Sequence, residues 1–477
     1  MRSYDPVLVN IIHYVYHYEV KSPHSVSRAR LLLLDAFACA IESLADPSVQ
    51  NIIGSYIPGT VVPNGFRLPG TNLQLDPAKG AFDFGTMIRY LDHNDALSGV
   101  EWGHPSDNLG AIVAVMDYLS RSSGQLAHSA PPLNIRTLLI AMIKAYEIQG
   151  CFQAANSFNA LGIDHVILVK VASTAVIAWL YGLSEEQGLD ALSQAWMDGH
   201  PLRTYRSAPN TISRKGWAAA DACMRAVHLV FLTKAGQDGA PTPLSARTGF
   251  YNCLFQNKEF ALPMPYGETI IHQSVVKLIA CEGHALTAVE AAMRLSMELC
   301  ERALDPAGDV IDRIEVRTQR PALTIIDKTG DLFNKADRDH CLQYIIAVVL
   351  LKGDLLETSD YQSPWASDPR VANLRKKIVL REDKGFTEDY YNPEIRSIAT
   401  GISIRLSNGA RIGEVVVHFP VGHPNAAGTK DSTSNKFFTI LRAKFSEAEA
   451  RNLRVALDDE EMPVHKYMDM WTRGNVS

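Results

Sequence analysis

Apolar residues recur at helical spacing through most of the first half of the chain. In the stretch 28–42, Leu31, Leu34, Ala38 and Ile41 fall on one face of a helix. The same spacing predicts further helices at 135–150, 163–182, 185–198, 216–235 and 285–303.

The pattern changes after about residue 265. Asp309–Thr318 alternates polar and apolar positions and is rich in Val and Ile, which predicts a strand. The stretches 401–406 and 412–419 flank Asn408 and Gly409, the dipeptide favoured in the turn of a β-hairpin. Helical spacing returns in Asn435–Tyr467.

These patterns predict a mainly α protein with a large all-helical domain and a smaller α+β domain. The helical domain starts with residues 1–267, the α+β domain spans 268–420, and the helices of 421–477 rejoin the helical domain. A chain of 477 residues can bury cores of this size without disulfides or a structural metal.

A polar stretch, Asp92–Asn108, interrupts the helical pattern that runs from Pro77 to Leu119. Its aspartates, asparagines and histidines cannot be buried without partners, so they must be solvated, pair with each other or line a cleft. Trp102 argues against a freely solvated loop, and Pro105 restricts His104 to an extended backbone.

Two other stretches predict helix starts. Ser184 and Gln187 have the spacing of a capping box. Ser106 or Asp107 would cap the helix that follows the polar stretch, and a helix start can also bind an anion. The aspartates of 337–344 are interpreted as ordinary capping.

Basic side chains cluster in the stretch 198–217, where Arg203, Arg206, Arg214 and Lys215 occur among aromatic and polar residues. The planar fork of arginine suits carboxylates, so the cluster is a candidate site for an acidic ligand. A solvated loop is the alternative. His165 enters an apolar helix, a position that more often belongs to a satisfied core histidine.

The charge distribution excludes some classes of partner. The net charge is −6 and both signs are spread along the chain, which disfavours nucleic-acid binding. The N-terminus lacks the features of a secretory signal or presequence, and no apolar window is long enough to span a membrane, so a cytoplasmic location is expected.

Seven cysteines without a C-x-x-C pair indicate reduced thiols in an intracellular protein and disfavour an iron–sulfur cluster. Asp92, His93, Asp95 and His104 could supply metal ligands, but they lack the spacing of a helix-face pair. No metal and no cofactor are therefore expected.

Long stretches of the chain resemble the MmgE/PrpD family, and within it the 2-methylcitrate dehydratases. The matching segments are MIRYLDHND, EWGHPSDNLG, GIDHVILVKVAS, RTYRSAPNT, ADRDHC and EVVVHFPVGHP. The resemblance implies a lid-like α+β domain, a homodimer, and cofactor-free removal of water from a small tricarboxylic acid. The expected substrate is 2-methylcitrate or a longer 2-alkylcitrate, and the product is the alkyl-cis-aconitate.

The resemblance also implies roles for individual residues. The expected catalytic residues are Asp92, His104, His165, Lys215 and Lys277. The expected substrate-binding residues are Asp95, Asn108, Arg203, Arg206, Asn210 and Arg214. The two histidines would form the acid–base pair, an aspartate would orient one imidazole, and the cations would stabilise the developing enediolate.

Other readings stay open. A cis-aconitate-type decarboxylase of the same family would carry a lysine near position 211, where this chain has Thr211. An isomerase and a catalytically silent binding protein are further alternatives. Ser207 and Ile212 stand where the dehydratases usually carry histidine and glycine, and Leu97–Gly99 also departs from their pattern. These changes favour a substrate with a longer alkyl group.

Overall fold

The computed structural model describes residues 3–122, 130–206 and 211–474. Within these residues the chain forms nineteen α-helices and six β-strands. The helices are α1 Pro6–His17, α2 Pro23–Ser43, α3 Pro47–Gln50, α4 Pro77–Arg89, α5 Leu109–Arg121, α6 Ile135–Ala155, α7 Val166–Leu180, α8 Glu185–Met197, α9 Ala218–Lys234, α10 Phe250–Leu254, α11 Leu286–Glu301, α12 Arg320–Ile325, α13 Lys335–Arg338, α14 Leu342–Lys352, α15 Pro369–Lys376, α16 Lys384–Tyr391, α17 Thr429–Leu441, α18 Glu447–Ala456 and α19 Val464–Met470. The strands are β1 Phe66–Arg67, β2 Gln74–Leu75, β3 Ile311–Thr318, β4 Ile378–Glu382, β5 Thr400–Leu406 and β6 Arg411–Val417.

The larger hydrophobic core, called the first core below, is built by helices from both ends of the chain. Its buried residues run from Tyr4 to Val276 and again from Phe437 to Trp471. The rings of Phe37 on α2 and Trp471, directly after α19, lie 4.7 Å apart between centroids. The last helices therefore complete a core that the first helices begin.

The second core is a separate cluster built on the sheet β4-β3-β5-β6 and on helices α11 and α14. Its buried residues run from Val275 to Val417, with Ala96 and Trp102 contributed by the polar stretch. The mainly α fold with a smaller α+β part is thus confirmed, whereas the boundaries at 267 and 420 stay predictions.

The predicted hairpin is confirmed as β5 and β6, and Gly409 has the positive φ of +85° that its turn requires. Strand β3 is also confirmed, but it pairs in parallel with β4, Ile314 lying opposite Ile378. The sequence analysis did not predict β4, because a five-residue strand outside a hairpin carries little local signal.

One of the two predicted caps is present. Ser184 and Gln187 form a complete capping box at α8. The prediction that Ser106 or Asp107 caps α5 is wrong, because α5 follows a 3-10 turn without a side-chain cap. Ser106 Oγ and Asp107 Oδ1 instead accept hydrogen bonds from Asn94 Nδ2 at 2.8 and 3.0 Å.

Two connections join the cores, and they lie side by side. The N–H of Val276 donates to the carbonyl of Gly422 at 2.9 Å. Gly422 has a φ of +104°, and a Cβ atom there would lie 2.0 Å from the Val276 carbonyl oxygen. Only glycine allows this close approach of the two connections.

No helix within the described parts of the chain is both long and apolar enough to cross a membrane.

Candidate active site

A narrow polar cleft lies where the two cores meet. The first core contributes the end of α4, the polar stretch, the start of α7 and the 3-10 turn Arg203–Arg206, and the second core contributes the loop before α11, the end of α12 and the loop before α14. The cleft is lined by Arg89, Asp92, Trp102, His104, His165, Arg203, Arg206, Glu282, Ile325 and His340. Its free volume is about 30 Å³, close to the volume of one water. The cleft is therefore small, and most of its walls are charged or polar.

Asp92 stands at the centre of a cluster of buried cations. Arg89 Nη1 lies 2.8 Å from Asp92 Oδ1, Lys215 Nζ lies 3.2 Å from Oδ2, and Lys277 Nζ also pairs with Oδ1. Burial alone would raise the pKa of Asp92, but these three cations hold it well below its ordinary value. Asp92 is therefore a charged carboxylate, held at a φ of +55° that is strained for a residue with a Cβ.

Lys215 connects this cluster to Asp339 of the second core. Its Nζ donates to Asp339 Oδ2 at 2.6 Å, and Asp339 Oδ1 lies 2.6 Å from His340 Nδ1. His340 Nε2 lies 3.9 Å from Asp92 Oδ2, which closes the ring of charges. The interpretation of Asp339 and its neighbours as simple capping is wrong, because their side chains pair across the boundary between the cores.

His104 is fixed at both ring nitrogens. Nδ1 donates to the carbonyl of Asp95 at 2.8 Å, and Nε2 accepts from Arg89 Nη2 at 3.0 Å. Burial and the charges of Arg89 and Lys277 hold the pKa of His104 well below its ordinary value, so the ring is neutral. Its extended backbone, with φ −129° and ψ 91°, agrees with the restriction predicted from Pro105.

Asp95 orients the imidazole of His104, but through its main-chain carbonyl and not through its carboxylate. The carbonyl of Asp95 sets the tautomer of His104, while the Asp95 carboxylate accepts from the N–H of Ser106 at 3.2 Å and from the hydroxyl of Tyr146 at 2.9 Å. Asp95 does not line the cleft, so its predicted contact with substrate is replaced by a structural role.

His165 faces His104, with 5.9 Å between the ring centroids. Neither of its ring nitrogens has a hydrogen-bond partner among the described residues, although Nδ1 lies 3.3 Å from Asp164 Oδ1. Burial lowers the pKa of His165 to about 3, and Arg206 and Arg203 act in the same direction against Asp164. His165 is therefore a neutral imidazole with uncommitted nitrogens in the cleft and not a satisfied core histidine.

The cleft walls also carry unpaired N–H donors. Asp164 Oδ2 accepts from Arg206 Nε at 2.6 Å and lies 3.3 Å from Arg203 Nη1. Arg206 Nη2, Arg89 Nε and Trp102 Nε1 are buried without a hydrogen-bond partner among the described residues. Buried donors of this kind are suited to the oxygens of a carboxylate ligand.

Arg214 and Asn108 also lie away from the cleft. Arg214 stacks 4.3 Å above the Trp217 ring and pairs with Asp221 at 3.1 Å, with a third of its side chain exposed. The amide of Asn108 is fully used inside the first core, because it donates to Gln149 at 2.7 Å and accepts from Ser173 at 2.7 Å. The substrate contacts predicted for these two residues are therefore not supported by their positions.

Lys277 lies behind Asp92 and does not line the cleft. Besides the carboxylate, its Nζ donates to the carbonyl of Asp92 and to that of Cys281, both at 3.0 Å. Its three acceptors leave no N–H for a substrate. Lys277 therefore acts on the cleft through the position and charge of Asp92.

Ser207 and Asn210 lie outside the described residues.

The variable positions before the polar motif do not reach the cleft either. Leu97 packs with Cys151 and Ile270 in a small apolar cluster. A Cβ atom on Gly99 would lie 2.5 Å from the carbonyl oxygen of Gln153. Leu97 and Gly99 therefore pack against α6 and Ile270 and do not line the cleft.

A larger cavity opens on the other side of the Lys215–Asp339 pair. Its volume is about 590 Å³, and Tyr90, Ile212 and Ala336 contribute apolar surface to it. Ile212 is 48% exposed and lines this cavity. Ile212 therefore lies beside the charged cluster of Lys215 and Asp339.

No site role is predicted from the sequence for four residues on the cleft side, Arg89, Asp339, His340 and Glu282. Arg89 stands three residues before Asp92, which is the spacing of an ion pair on a helix. This spacing is the sequence feature from which the contact of Arg89 with Asp92 could be predicted. Among the described residues, no group of three or more His, Cys, Asp or Glu side chains is arranged to hold a metal ion.

Comparison with known proteins gives matches over nearly the whole chain. The MmgE/PrpD N-terminal domain matches residues 9–263, and the MmgE/PrpD C-terminal domain matches residues 279–461. The chain is 48% identical to the alkylcitrate dehydratase phiI of a fungal species, over 99% of this chain and 94% of that protein. It is 48% identical to the 2-methylcitrate dehydratase-like protein oryR of Aspergillus oryzae, over 98% and 96% of the two chains. It is 46% identical to the 2-methylcitrate dehydratase of Salmonella typhimurium, over 98% of both chains.

Proposed function

The chain belongs to the MmgE/PrpD family, and from that premise we propose that it is a hydro-lyase that removes water from a 2-alkylcitrate. The product is the corresponding alkyl-cis-aconitate. The observation that carries the proposal is the pair of neutral imidazoles, His104 and His165, 5.9 Å apart in a cleft walled by guanidinium groups. General acid–base chemistry on an anionic substrate needs that combination.

The guanidinium groups supply binding and electrostatic stabilisation. Arg206 and Arg89 each have an unpaired buried donor, and Arg203 lies on the same wall. Removing a proton next to a carboxylate creates an enediolate, whose negative charge is stabilised by donors already fixed in place. Asp92 holds Arg89 and Lys215 beside the reacting atoms.

His165 is the better placed histidine to take the proton, because its nitrogens need not leave a protein partner. His104 Nε2 faces Arg89, which now donates to it. A tricarboxylate adds negative charge to the cleft, so it raises the pKa of both imidazoles and attracts Arg89. His104 can then take a proton from solvent on Nε2 and give it to the departing hydroxyl, which leaves as water, while His165 returns the substrate proton to solvent.

The decarboxylase alternative is not favoured. The relatives compared with this chain carry names of dehydratases. Thr211 is engaged in the boundary between the cores, where its N–H donates to Asp337 at 2.6 Å and its hydroxyl accepts from Lys328 at 2.9 Å.

The alkyl group is assigned to the cavity beside Ile212. The charges around this cavity pair with each other, Asp46 with Lys335 at 2.8 Å and Lys215 with Asp339 at 2.6 Å. A cavity without uncompensated charge, with a half-exposed isoleucine, suits an uncharged chain better than a carboxylate. A substrate with a longer alkyl group than methyl fits this arrangement.

The test is turnover of methyl-, butyl- and hexylcitrate, with the alkene followed by absorbance and by mass spectrometry and carbon dioxide trapped in parallel. We expect alkene formation without carbon dioxide, and faster turnover of the longer substrates. Ile212→Trp should reduce hexylcitrate turnover about tenfold or more while methylcitrate changes little. Release of carbon dioxide would overturn dehydration, and a preference for methylcitrate would overturn the assignment of the cavity. The homodimer and the cytoplasmic location stay predictions.

A further inference from the structure

We propose that Glu101 is a positioning residue, which holds Arg203 in the cleft through Asn159. The inference rests on the proposed function, because it assigns Arg203 to a carboxylate of the substrate. Glu101 opens the conspicuous motif that contains His104, yet it lies outside the cleft lining and no step of the chemistry uses it.

The link is a short chain of hydrogen bonds. Glu101 Oε2 accepts from the N–H of Asn159 at 2.9 Å and lies 3.4 Å from Ser157 Oγ. Asn159 Oδ1 in turn accepts from Arg203 Nη1 at 2.6 Å. The carboxyl therefore fixes the turn whose amide oxygen holds the guanidinium, while Asp164 contacts the same Nη1 from the other side.

The main chain of Glu101 is anchored independently of its side chain. Its N–H donates to the carbonyl of Gln153 at 3.0 Å, and its carbonyl accepts from Gln153 Nε2 at 3.2 Å. Removing the carboxyl should therefore leave the path of the polar stretch intact. The expected defect is confined to the turn at Asn159 and to Arg203.

The side chain is fully buried, and Oε1 has no hydrogen-bond partner among the described residues. Burial raises the pKa of Glu101 to about 8, with Asp164 adding to the increase and the Asn159 N–H and Arg203 opposing it. Tyr390 of the second core also interacts with it electrostatically. Glu101 is thus a neutral acid at neutral pH, and Arg203 stays available to the substrate.

Deprotonation should change this balance. A charged Glu101 attracts Arg203 away from the substrate, so binding of a tricarboxylate should weaken as the pH rises through about 8. The turnover number at saturation should change much less, since Glu101 does not touch the reacting atoms.

The experiment measures the Kd of tricarballylate, a tricarboxylate without a hydroxyl to lose, from about pH 6 to about pH 10. Glu101→Gln copies the neutral acid, so its Kd at neutral pH should stay within about twofold of wild type and remain flat with pH. Glu101→Ala should weaken binding about tenfold or more, because the turn loses its acceptor. With an alkylcitrate substrate, the loss should fall on KM and not on kcat.

Asp117→Asn is the matched control. Asp117 is also fully buried with a pKa raised by burial, to about 6, but it lies on α5 and accepts from the main-chain N–H of Arg67. This variant should keep the wild-type dependence of Kd on pH.

Stability provides a readout that needs no ligand. The carboxyl of Glu101 keeps its proton up to about pH 8 when folded but loses it near pH 4.5 when unfolded, so the free energy of unfolding falls between those values and stays low above them. Glu101→Gln should remove this decrease.

Two results would overturn the proposal: an unchanged Kd in Glu101→Ala, or a Kd of Glu101→Gln that weakens with pH as in wild type. Absence of alkylcitrate turnover by wild type would instead refute the proposed function, and the tricarballylate and unfolding results would still decide the role of Glu101.

Discussion

His104 and His165 are equally buried and face each other, but their surroundings are opposite. Both nitrogens of His104 are committed to protein groups, one to a main-chain carbonyl and one to Arg89. Neither nitrogen of His165 has a hydrogen-bond partner in the described part of the chain. The fold sets the tautomer and direction of one ring and leaves the other ring free to exchange a proton. We therefore propose orientation and late proton delivery for the fixed ring, and proton removal for the free ring.

Replacing either imidazole should have the largest effect. His165→Asn and His104→Asn should each lower kcat by about 10²–10⁴, the range of a lost general acid or base. His165→Asn should abolish exchange of the substrate proton with solvent, whereas His104→Asn should retain part of it.

Deuterium exchange into unreacted alkylcitrate, measured by mass spectrometry, separates the two variants. Unchanged unfolding curves at neutral pH would show that both variants fold. Equal loss of exchange in the two variants would contradict the assignment of different roles.

Arg89 connects the fixed ring to Asp92, so its removal should make the two histidines more alike. Arg89→Gln should lower kcat/KM about a hundredfold, because a charge-assisted contact to the substrate is lost. Since the charge of Arg89 lowers the pKa of His104, the acidic limb of the kcat/KM profile should also move to higher pH.

Arg121→Gln is the control, because Arg121 pairs with Asp117 and Asp469 on the far side of α5. A profile of Arg89→Gln that coincides with wild type would show that Arg89 does not govern His104.

The smallest effect concerns stability in acid. His165 has a folded pKa of about 3 against an ordinary value of 6.5, so the unfolded chain binds a proton first and the free energy of unfolding decreases as the pH falls below 6.5. At about pH 5 this amounts to about 2 kcal/mol. His165→Asn should therefore lose less stability than wild type between neutral pH and about pH 5 in urea unfolding. An identical decrease in the two proteins would place the proton elsewhere.

The sequence carries a stronger signal for a functional role of His104 than of His165. His104 stands among charged neighbours and before a proline, so its pattern indicates a directed polar side chain. His165 precedes an apolar helix, and only the family resemblance raised it above a core residue. Its free nitrogens depend on Asp164 and on the 3-10 turn at Arg206, which are set by packing between distant segments.

The basic cluster in the stretch 198–217 also shows that local sequence does not predict which side chains face the cleft. Arg206 and Lys215 face the cleft region while Arg214, one residue from Lys215, faces Trp217 and Asp221. The two short 3-10 turns that hold these residues decide which side chains point inward. Local signals sufficed for the hairpin at Gly409 and for the cap at Ser184, whose partners are close in sequence.

The two connections between the cores meet at Val276 and Gly422, where a main-chain hydrogen bond joins them. Separation of the cores at this point would break the hydrogen bond. The pairing therefore holds the cores together at this point, and the contacts of Lys215 with Asp92 and Asp339 join them a second time.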